Sequence, residues 1–566
     1  MTQPIQRFVP RTHIAYFSME IAIRSDMHSY AGGLGVLAGD TAWSCADLEI
    51  PVVFVTLVSR AGYFRQQIDA EGRQTEAPDW WDPTRFCVVL NAMVAVEMDG
   101  RPVWVRPWLY IHESGHGHEI PILLLDTDLD QNRDEDRTLT HYLYGGDAAY
   151  RLKQELVLGL GGIRLLRALG FDLHTYHLNE GHSAFLALDL LNRHRLPPED
   201  VRPGESLYDL SEVREQCVFT THTPVEAGSD RFPYEMFEQL VDGLVEIDEL
   251  RQLAGAPALN MTQLALNVSG YINGVARRHA ETTRLLFPGY HVHAVTNGVH
   301  AGRWTHEAFA RLFDTLLPRW RHEPETLIRC LQLGDDAVWE CHRTAKADLI
   351  AHVRAVSGVA LDPDLPILGF ARRMTGYKRP LLLFSDIARL ARIAERQPFQ
   401  IVMAGKAHPH DDDGKEAIRQ LHAYARQLQD RPRCVFLPDY DLDLAKRLVS
   451  GADVWLNTPL PPMEASGTSG MKAALNGVLN LSVPDGWWIE AAAEGMTGWS
   501  IGGDHEGDAA THATALYDKI EQVVLPLYRA DPAGWRRMMK QSIAMIGAYF
   551  NSQRMMRRYA SEAYLR

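Results

Sequence analysis

No stretch of this chain stays apolar long enough to cross a bilayer, and its start, MTQPIQRFVPRTH, has no apolar segment behind a basic one. Neither a membrane span nor a signal peptide is expected, and a cytoplasmic location is. Cysteine is scarce. Among 566 residues there are six, at Cys45, Cys87, Cys217, Cys330, Cys341 and Cys434, and none forms a CxxC pair. That argues against a disulfide framework and suits free thiols in a reducing compartment. An excess of positive charge is lacking too: 57 Lys and Arg stand against 72 Asp and Glu, for a net −15. Such a surface repels phosphate backbones and anionic lipid, so nucleic acid and membrane are not expected partners. A neutral sugar fits this balance, whereas an anionic substrate needs a local basic pocket. There is no repeat of fixed period and no low-complexity linker.

What is present is a long alternation of short apolar runs with helical patterns. Strands are expected at His13–Phe17, Val52–Leu57, Pro121–Leu125, Cys217–Thr221 and His291–Thr296. In the second half they are expected at Pro366–Phe370, Gln400–Ala404, Cys434–Leu437, Asp453–Leu456 and Val478–Val483. Runs too short for helices, several of them Val-rich, are the mark of buried parallel strands. Helices are expected over Glu155–Leu169, Leu381–Arg396, Lys415–Leu428 and the basic C-terminal stretch Gly534–Arg566. The fold class is therefore α/β, with two Rossmann-like domains facing a cleft. The chain is too long for one core, and the seam falls after Asn297-Gly298. The domains expected are 1–300 and 301–566, with the C-terminal helices free to pack back on the first.

Three segments carry chemistry. The first is Glu464-Ala-Ser-Gly-Thr-Ser-Gly-Met-Lys472. Its small residues Ser466, Gly467, Thr468, Ser469 and Gly470 let backbone N–H groups approach an anion, and a helix starting there adds its positive end. Lys472, two residues on, could hold an aldehyde cofactor; the bland alternative is a glycine-rich turn with a solvated lysine. The second segment, Gly369–Arg379, crowds Arg372, Arg373, Lys378 and Arg379 just past an apolar run. Cations at a helix start oppose the macrodipole unless an anion compensates, so this is a candidate anion clamp. The third, Tyr30–Asp40, opens an apolar helix with Gly32, Gly33 and Gly35, which a phosphate loop and a tight turn explain equally well. Glu20, Asn179, Glu180, His182, His222, Asn273 and Asn297 sit near strand ends and together could line a sugar site. No metal is expected. Asp126, Asp128 and Asp130 begin like a calcium loop, but Gln131 replaces the required Gly. His112–Glu119 (HESGHGHE) has no zinc spacing and reads as a surface loop.

In order along the chain these segments resemble the α-glucan phosphorylase family (glycogen, starch and maltodextrin phosphorylases). The matching segments are YFSMEIAIRSD, AGGLGVLAGD, HLNEGHSAF, THTPVEAG, INGVARRHAE, VTNGVHAGRW, RRMTGYKR and EASGTSGMKAALNG. They run from about Tyr16 to about Gly486, and the likeness is to the short, divergent prokaryotic branch. Thr375-Gly376 stand where animal enzymes carry His-Glu, which removes one sugar contact. The resemblance implies the GT-B glycosyltransferase fold and pyridoxal 5′-phosphate held covalently on Lys472. It implies transfer of a terminal α-1,4-linked glucosyl unit from a glucan to inorganic phosphate, giving α-glucose 1-phosphate with retention. Arg373, Lys378 and the Gly33 amide are the expected ligands of the substrate phosphate. Arg372, Thr468, Ser469, Gly470 and Gly32 are those of the cofactor. Glu20, Glu180, Asn297, Tyr377, Glu464, Ser466 and Gly467 are expected at the sugar, with the His222 carbonyl facing its anomeric centre. The expected partners are a glucan or maltodextrin, phosphate or glucose 1-phosphate, and further copies of the chain. The alternative is a nucleotide-sugar glucosyltransferase of the glycogen or starch synthase kind, which would share the fold but have no use for a cofactor lysine.

Overall fold

The computed structural model describes residues 4–225, 230–241, 243–503 and 507–565. Glu226, Ala227 and Gly228 of the THTPVEAG segment, and Arg566, lie outside the described residues.

The first sheet is built on β1 (Ile14–Phe17), β2 (Val52–Leu57), β3 (Arg101–Glu113), β4 (Glu119–Asp126), β5 (Thr175–Asn179), β6 (Cys217–Thr220), β7 (Tyr271–Gly274) and β8 (Val292–Ala294). The order of these eight is β8-β7-β6-β5-β1-β2-β4-β3, parallel up to β4, with β3 antiparallel to β4 and the short strands Val88–Val89 and Val94–Met98 antiparallel to β3. The second sheet, fully parallel, comprises β9 (Ile367–Ala371), β10 (Gln400–Ala404), β11 (Arg433–Leu437), β12 (Val454–Asn457), β13 (Leu479–Ser482) and β14 (Gly498–Ser500). It runs β11-β10-β9-β12-β13-β14. Each sheet is doubly wound, and the order reverses between β1 and β5 in the first and between β9 and β12 in the second. Those are the positions where loops part and leave a crevice beyond the strands' carboxyl ends.

Alternation along the strands divides the first core in two. Ala15 and Phe17 of β1 join Val53, Val55 and Leu57 on one face. Ile14 and Tyr16 join Val52 and Phe54 on the other. Helix α1 (Gly33–Asp47) covers that second face together with Met555, Met556 and Tyr559 of the helix Ser552–Tyr559 near the chain end. Polar pairs fix the docking: Ser44 Oγ lies 2.6 Å from Ser552 Oγ, and the Asn273 amide donates to the Tyr559 hydroxyl. Where the chain passes between the two sheets, Gly298 packs so closely that a Cβ there would stand 2.2 Å from the Asn551 carbonyl.

The expected strands Val52–Leu57 and Gln400–Ala404 form over those residues, and the others shift by a few residues at most. Four of the labelled strands are additions, the last of them Gly498–Ser500 at the edge of the second sheet. Thr175–Asn179 and Tyr271–Gly274 carry polar residues that point to buried partners and so break the apolar run. Arg101–Glu113 contains Pro102 and Pro107, yet runs as a strand beyond the parallel core. The helix expected over Glu155–Leu169 begins earlier, capped by Asp147, and widens into a π-helical turn at Val157–Gly161. Its glycines serve close approach: a Cβ on Gly159 would come within 2.6 Å of the Leu186 amide. The helix expected at Leu381 starts only at Ile387, where Asp386 caps it. The C-terminal stretch is helical but broken before Asn551, which caps the last long helix.

Asp453, at the start of β12, ties the second sheet to the helix Asp335–Ser357. It is fully buried, pairs with Lys346 at 2.9 Å and His342 at 3.0 Å, and accepts from the Ile367 amide at 2.8 Å. Burial pushes its carboxyl up, but these partners overcome that and hold it at about 2. Asp453→Ala should destabilise the protein by about 3–5 kcal/mol, because it leaves Lys346 buried and uncompensated. Denaturant unfolding at neutral pH checks this, and a loss below about 1 kcal/mol would refute it.

Candidate active site

Between the carboxyl ends of the two sheets lies a cavity of about 350 Å³. Its floor on one side is the Tyr30–Gly33 loop with His222, Asn297 and Trp304, and on the other the loops after β9 and β12. A larger hollow of about 710 Å³ lies at the opposite, amino ends of β10 and β11, where no comparable cluster gathers. Volume alone would choose wrongly; the switch points and the charges choose this cavity.

The loop after β9 delivers Arg372, Arg373, Tyr377 and Lys378. The loop after β12 delivers Glu464, whose Oε2 takes Arg372 Nη2 at 2.7 Å and Lys378 Nζ at 2.5 Å. Burial would raise the Glu464 carboxyl, yet Lys378 and Arg372 hold it down at about 2. Burial in turn presses the Lys378 amine down to about 8 despite that partner. Arg372 is left with Nε and Nη1 buried and without a hydrogen-bond acceptor, which is costly unless an anion takes them. Asp485 anchors the loop by accepting from the Glu464 and Gly486 amides at 2.8 and 2.9 Å. Gly467 adopts a φ of 76°, a left-handed turn that suits glycine. The chain then enters α2 (Ser469–Ala474), with Trp455 Nε1 donating to Ser469 Oγ at 3.0 Å.

Lys472, on α2, is buried, and burial pushes its amine down to about 8. The amine rests on the Trp304 indole, 4.0 Å from the ring centroid. A buried, readily deprotonated amine facing a cavity with a starved guanidinium and a small-residue helix start fits an aldehyde that carries a phosphate.

The first-half wall is braced by carboxylates. Glu20, after β1, accepts from the Ala31 and Gly32 amides at 2.6 and 3.1 Å through Oε2, and from the Tyr144 hydroxyl at 2.9 Å through Oε1. Gly35 leaves room for this: a Cβ there would stand 2.5 Å from Glu20 Oε2. Glu180 accepts from the His222 amide at 2.7 Å and the Thr223 hydroxyl at 3.0 Å. A short relay fixes the His222 ring. Ser18 Oγ donates to the Glu20 carbonyl, so it accepts from Asn179 Nδ2 at 3.1 Å. That turns Asn179 Oδ1 toward His222 Nε2, 2.7 Å away. Nε2 therefore carries the hydrogen, and Nδ1 is left as an acceptor. Asn297 is buried with its Oδ1 unpartnered.

Of the residues singled out from the sequence, Gly35, Asn179, His182, Asn273, Arg379, Glu20, Glu180 and Gly470 do not line the cavity, and the others do. Arg379 turns to the Thr458 carbonyl, His182 to Asp230 and Asn273 to Tyr559. Glu20 and Glu180 hold the cavity's loops from behind, and Gly470 packs where a Cβ would come within 2.3 Å of Asn480 Oδ1. Sequence reasoning passed over Tyr63, Lys406 and Tyr440, which line the cavity, and Asp485, which braces it. Lys406 follows β10 at the same sheet edge as the basic loop, a positional signal; the two tyrosines carried none. Of the acids that begin like a calcium loop, Asp126 instead pairs with Arg60 and accepts from the Trp108 indole. HESGHGHE is the turn of the β3–β4 hairpin. Among the described residues no helix is long and apolar enough to cross a membrane, and no group of three or more metal-ligating side chains occurs.

A family model described as carbohydrate phosphorylase matches residues 230–512. The maltodextrin phosphorylase of Thermococcus litoralis is 37% identical over 97% of this chain and 70% of its own length. The glycogen phosphorylase of Mycobacterium bovis is 36% identical over 98% of this chain and 71% of its own. That of Aquifex aeolicus is 34% identical over 97% of this chain and 86% of its own.

Burial holds three histidines of this wall neutral, His177 and His222 down to about 3 and His279 down to about 4. In the unfolded chain each takes a proton near pH 6.5. Their contribution is complete above that pH and is lost as pH falls toward their folded values. At about pH 5 each should cost about 2 kcal/mol of stability. Unfolding free energy measured between about pH 5 and 6 should show this slope, and His222→Gln should remove about one proton from it; an unchanged slope in the variant would refute the assignment.

Proposed function

The chain belongs to the carbohydrate phosphorylase family, and on that premise we propose that it is an α-1,4-glucan phosphorylase working on linear glucans or maltodextrins. It moves a terminal glucosyl unit to inorganic phosphate and releases α-glucose 1-phosphate with retention. One observation carries this reading. A buried lysine amine, a small-residue helix start and three cations converge on a single cavity, and a nucleotide-sugar transferase has no need of that amine.

Lys472 would hold pyridoxal 5′-phosphate, with Arg372, Thr468, Ser469 and the Gly32 loop as the groups for its phosphate. When bound, the cofactor would supply a phosphate group able to give and take a proton. Arg373, Lys378 and the Gly33 amide bind the substrate phosphate. Two phosphates side by side repel strongly, so cations and N–H donors must converge on them. Glu464 neutralises Arg372 and Lys378 until a phosphate takes its place, which frees its carboxylate for glucosyl hydroxyls. Asn297, Ser466, Gly467 and Tyr377 hold the sugar, and His222 offers its Nδ1 lone pair to a hydroxyl. The His222 carbonyl faces the positive charge that develops at the anomeric carbon. No pair of side-chain carboxylates is required, which separates this chemistry from hydrolysis. The same reading divides the chain into 1–300 and 301–566, each part giving one wall. It places the enzyme in the cytoplasm, with further copies of the chain as a partner.

Purified protein incubated with maltoheptaose and phosphate should release glucose 1-phosphate. Incubated with maltoheptaose and UDP-glucose or ADP-glucose it should not extend the chain, because the clamp cannot neutralise a nucleoside diphosphate beside the cofactor phosphate. Extension without phosphorolysis would promote the synthase alternative. Lys378→Met should lower turnover on the order of a hundredfold, as for loss of a preorganised charge at the transition state. Unchanged phosphate saturation and turnover in that variant would remove Lys378 from the clamp.

A further inference from the structure

Helix α1 carries a buried acid, Asp40, that the chemistry above does not use. Its Oδ1 takes Arg303 Nη1 at 3.0 Å, and its Oδ2 takes the Trp304 indole N–H at 2.8 Å and the His300 amide at 3.2 Å. Arg303 and Trp304 sit on a single helical turn, Ala301–Trp304, too short to fix its own side chains. The carboxylate fixes them. Gly39 lets α1 approach: a Cβ there would come within 2.8 Å of Arg303 Nη1 and 2.1 Å of the Ala22 carbonyl. The indole so pinned is the ring on which the Lys472 amine rests.

Two opposite charges therefore bear on that amine: Asp40 favours its protonated form and Arg303 opposes it. Other charges face α2 as well. The helix Leu442–Gly451 brings Asp443, Lys446 and Arg447, and Arg372, Lys378 and Glu464 line the same cavity. The segments Val454–Asn457, Leu479–Ser482 and Ile543–Gly547, also packed on α2, bring none. Burial is the largest influence on the Lys472 amine, and among these charges Asp40 is the one bonded both to Arg303 and to the indole beneath that amine.

We propose that Asp40 is a positioning residue for the cofactor lysine: it pins the Trp304 ring beneath the amine and cancels the Arg303 charge beside it, and so sets the place and the protonation of that amine. The proposal rests on the reading that an aldehyde cofactor joins Lys472. Joining needs the neutral amine. Its nitrogen forms a double bond to the aldehyde carbon, and the aldehyde oxygen leaves as water with the amine's two protons. Without the Asp40 charge Arg303 stands alone, and the neutral amine appears at lower pH. Without Arg303 the acid stands alone, and the neutral amine appears only at higher pH.

The test uses protein stripped of its aldehyde cofactor. Uptake of pyridoxal 5′-phosphate is followed against pH, with borohydride reduction and peptide mapping to count the adduct on Lys472. Competitive acetylation of Lys472 reads the same amine without the cofactor. Asp40→Asn keeps an acceptor for Trp304 and should move both midpoints down by about one pH unit. Arg303→Gln should move them up by a similar amount, and the double variant should lie near the parent. Midpoints unmoved in both single variants, with only the melting temperature lowered, would overturn the proposal and leave Asp40 a structural residue. Should Asp40→Asn fail to fold, the upward shift in Arg303→Gln decides alone. No adduct on Lys472 at any pH, with the acetylation midpoints still shifting, would sink the cofactor reading and uphold the role of Asp40.

Discussion

Several positive charges gathered in one largely buried cavity set the terms for everything built around it. Arg372, Arg373, Lys378 and Lys472 line the same space, and burial, the largest influence on both amines, brings them down to about 8 despite the carboxylates near them. Bare cations there would be very costly. The protein answers with two carboxylates of different character. Glu464 sits inside the cavity, paired with Arg372 and Lys378. Asp40 sits behind it, sealed against Arg303, Trp304 and the His300 amide. One acid faces the cavity and the other is closed into the protein.

The two doubly wound sheets make that concentration of charge possible. Each leaves a crevice where its strand order reverses, and the loops that start there need not follow the strands into the core. In the second sheet these are the loops after β9 and β12, which carry all the basic residues of the clamp and the Glu464–Lys472 segment. In the first they are the loops after β1 and β5, which carry Glu20 and Glu180, with Asn179 at the end of β5 itself. The helix Ser552–Tyr559 crosses back to cover α1 and the face of β1, so elements from both ends of the chain support one wall.

Much of this was legible in the residues. Short Val-rich runs gave the parallel strands, because a strand buried on both faces must be apolar along its length. Clustered arginines and lysines just past such a run, in a chain of net −15, pointed to the sheet edge where Arg372, Arg373 and Lys378 line the cavity. The strand Thr175–Asn179 escaped because His177 and Asn179 face buried partners, so its pattern reads as polar loop. Glu20 and Glu180 were recognised as important, but whether each touches a ligand or braces a loop depends on which amides come within reach. Those amides, Ala31, Gly32 and the His222 N–H, are supplied by distant parts of the chain.

The chemical inventory can be read from residue order alone: an α/β chain with a lysine behind a small-residue loop, a basic cluster at a strand end, and a net negative charge. Local composition settles these, because periodicity, loop flexibility and net charge need no knowledge of neighbours. The surroundings of each charge depend on the folded arrangement. Lys378 and Lys472 have the same side chain and nearly the same burial, yet one is paired with Glu464 and the other lies on an indole. That difference comes from groups 86 and 168 residues away (Glu464 and Trp304), and charge interactions follow distance in space, not along the chain.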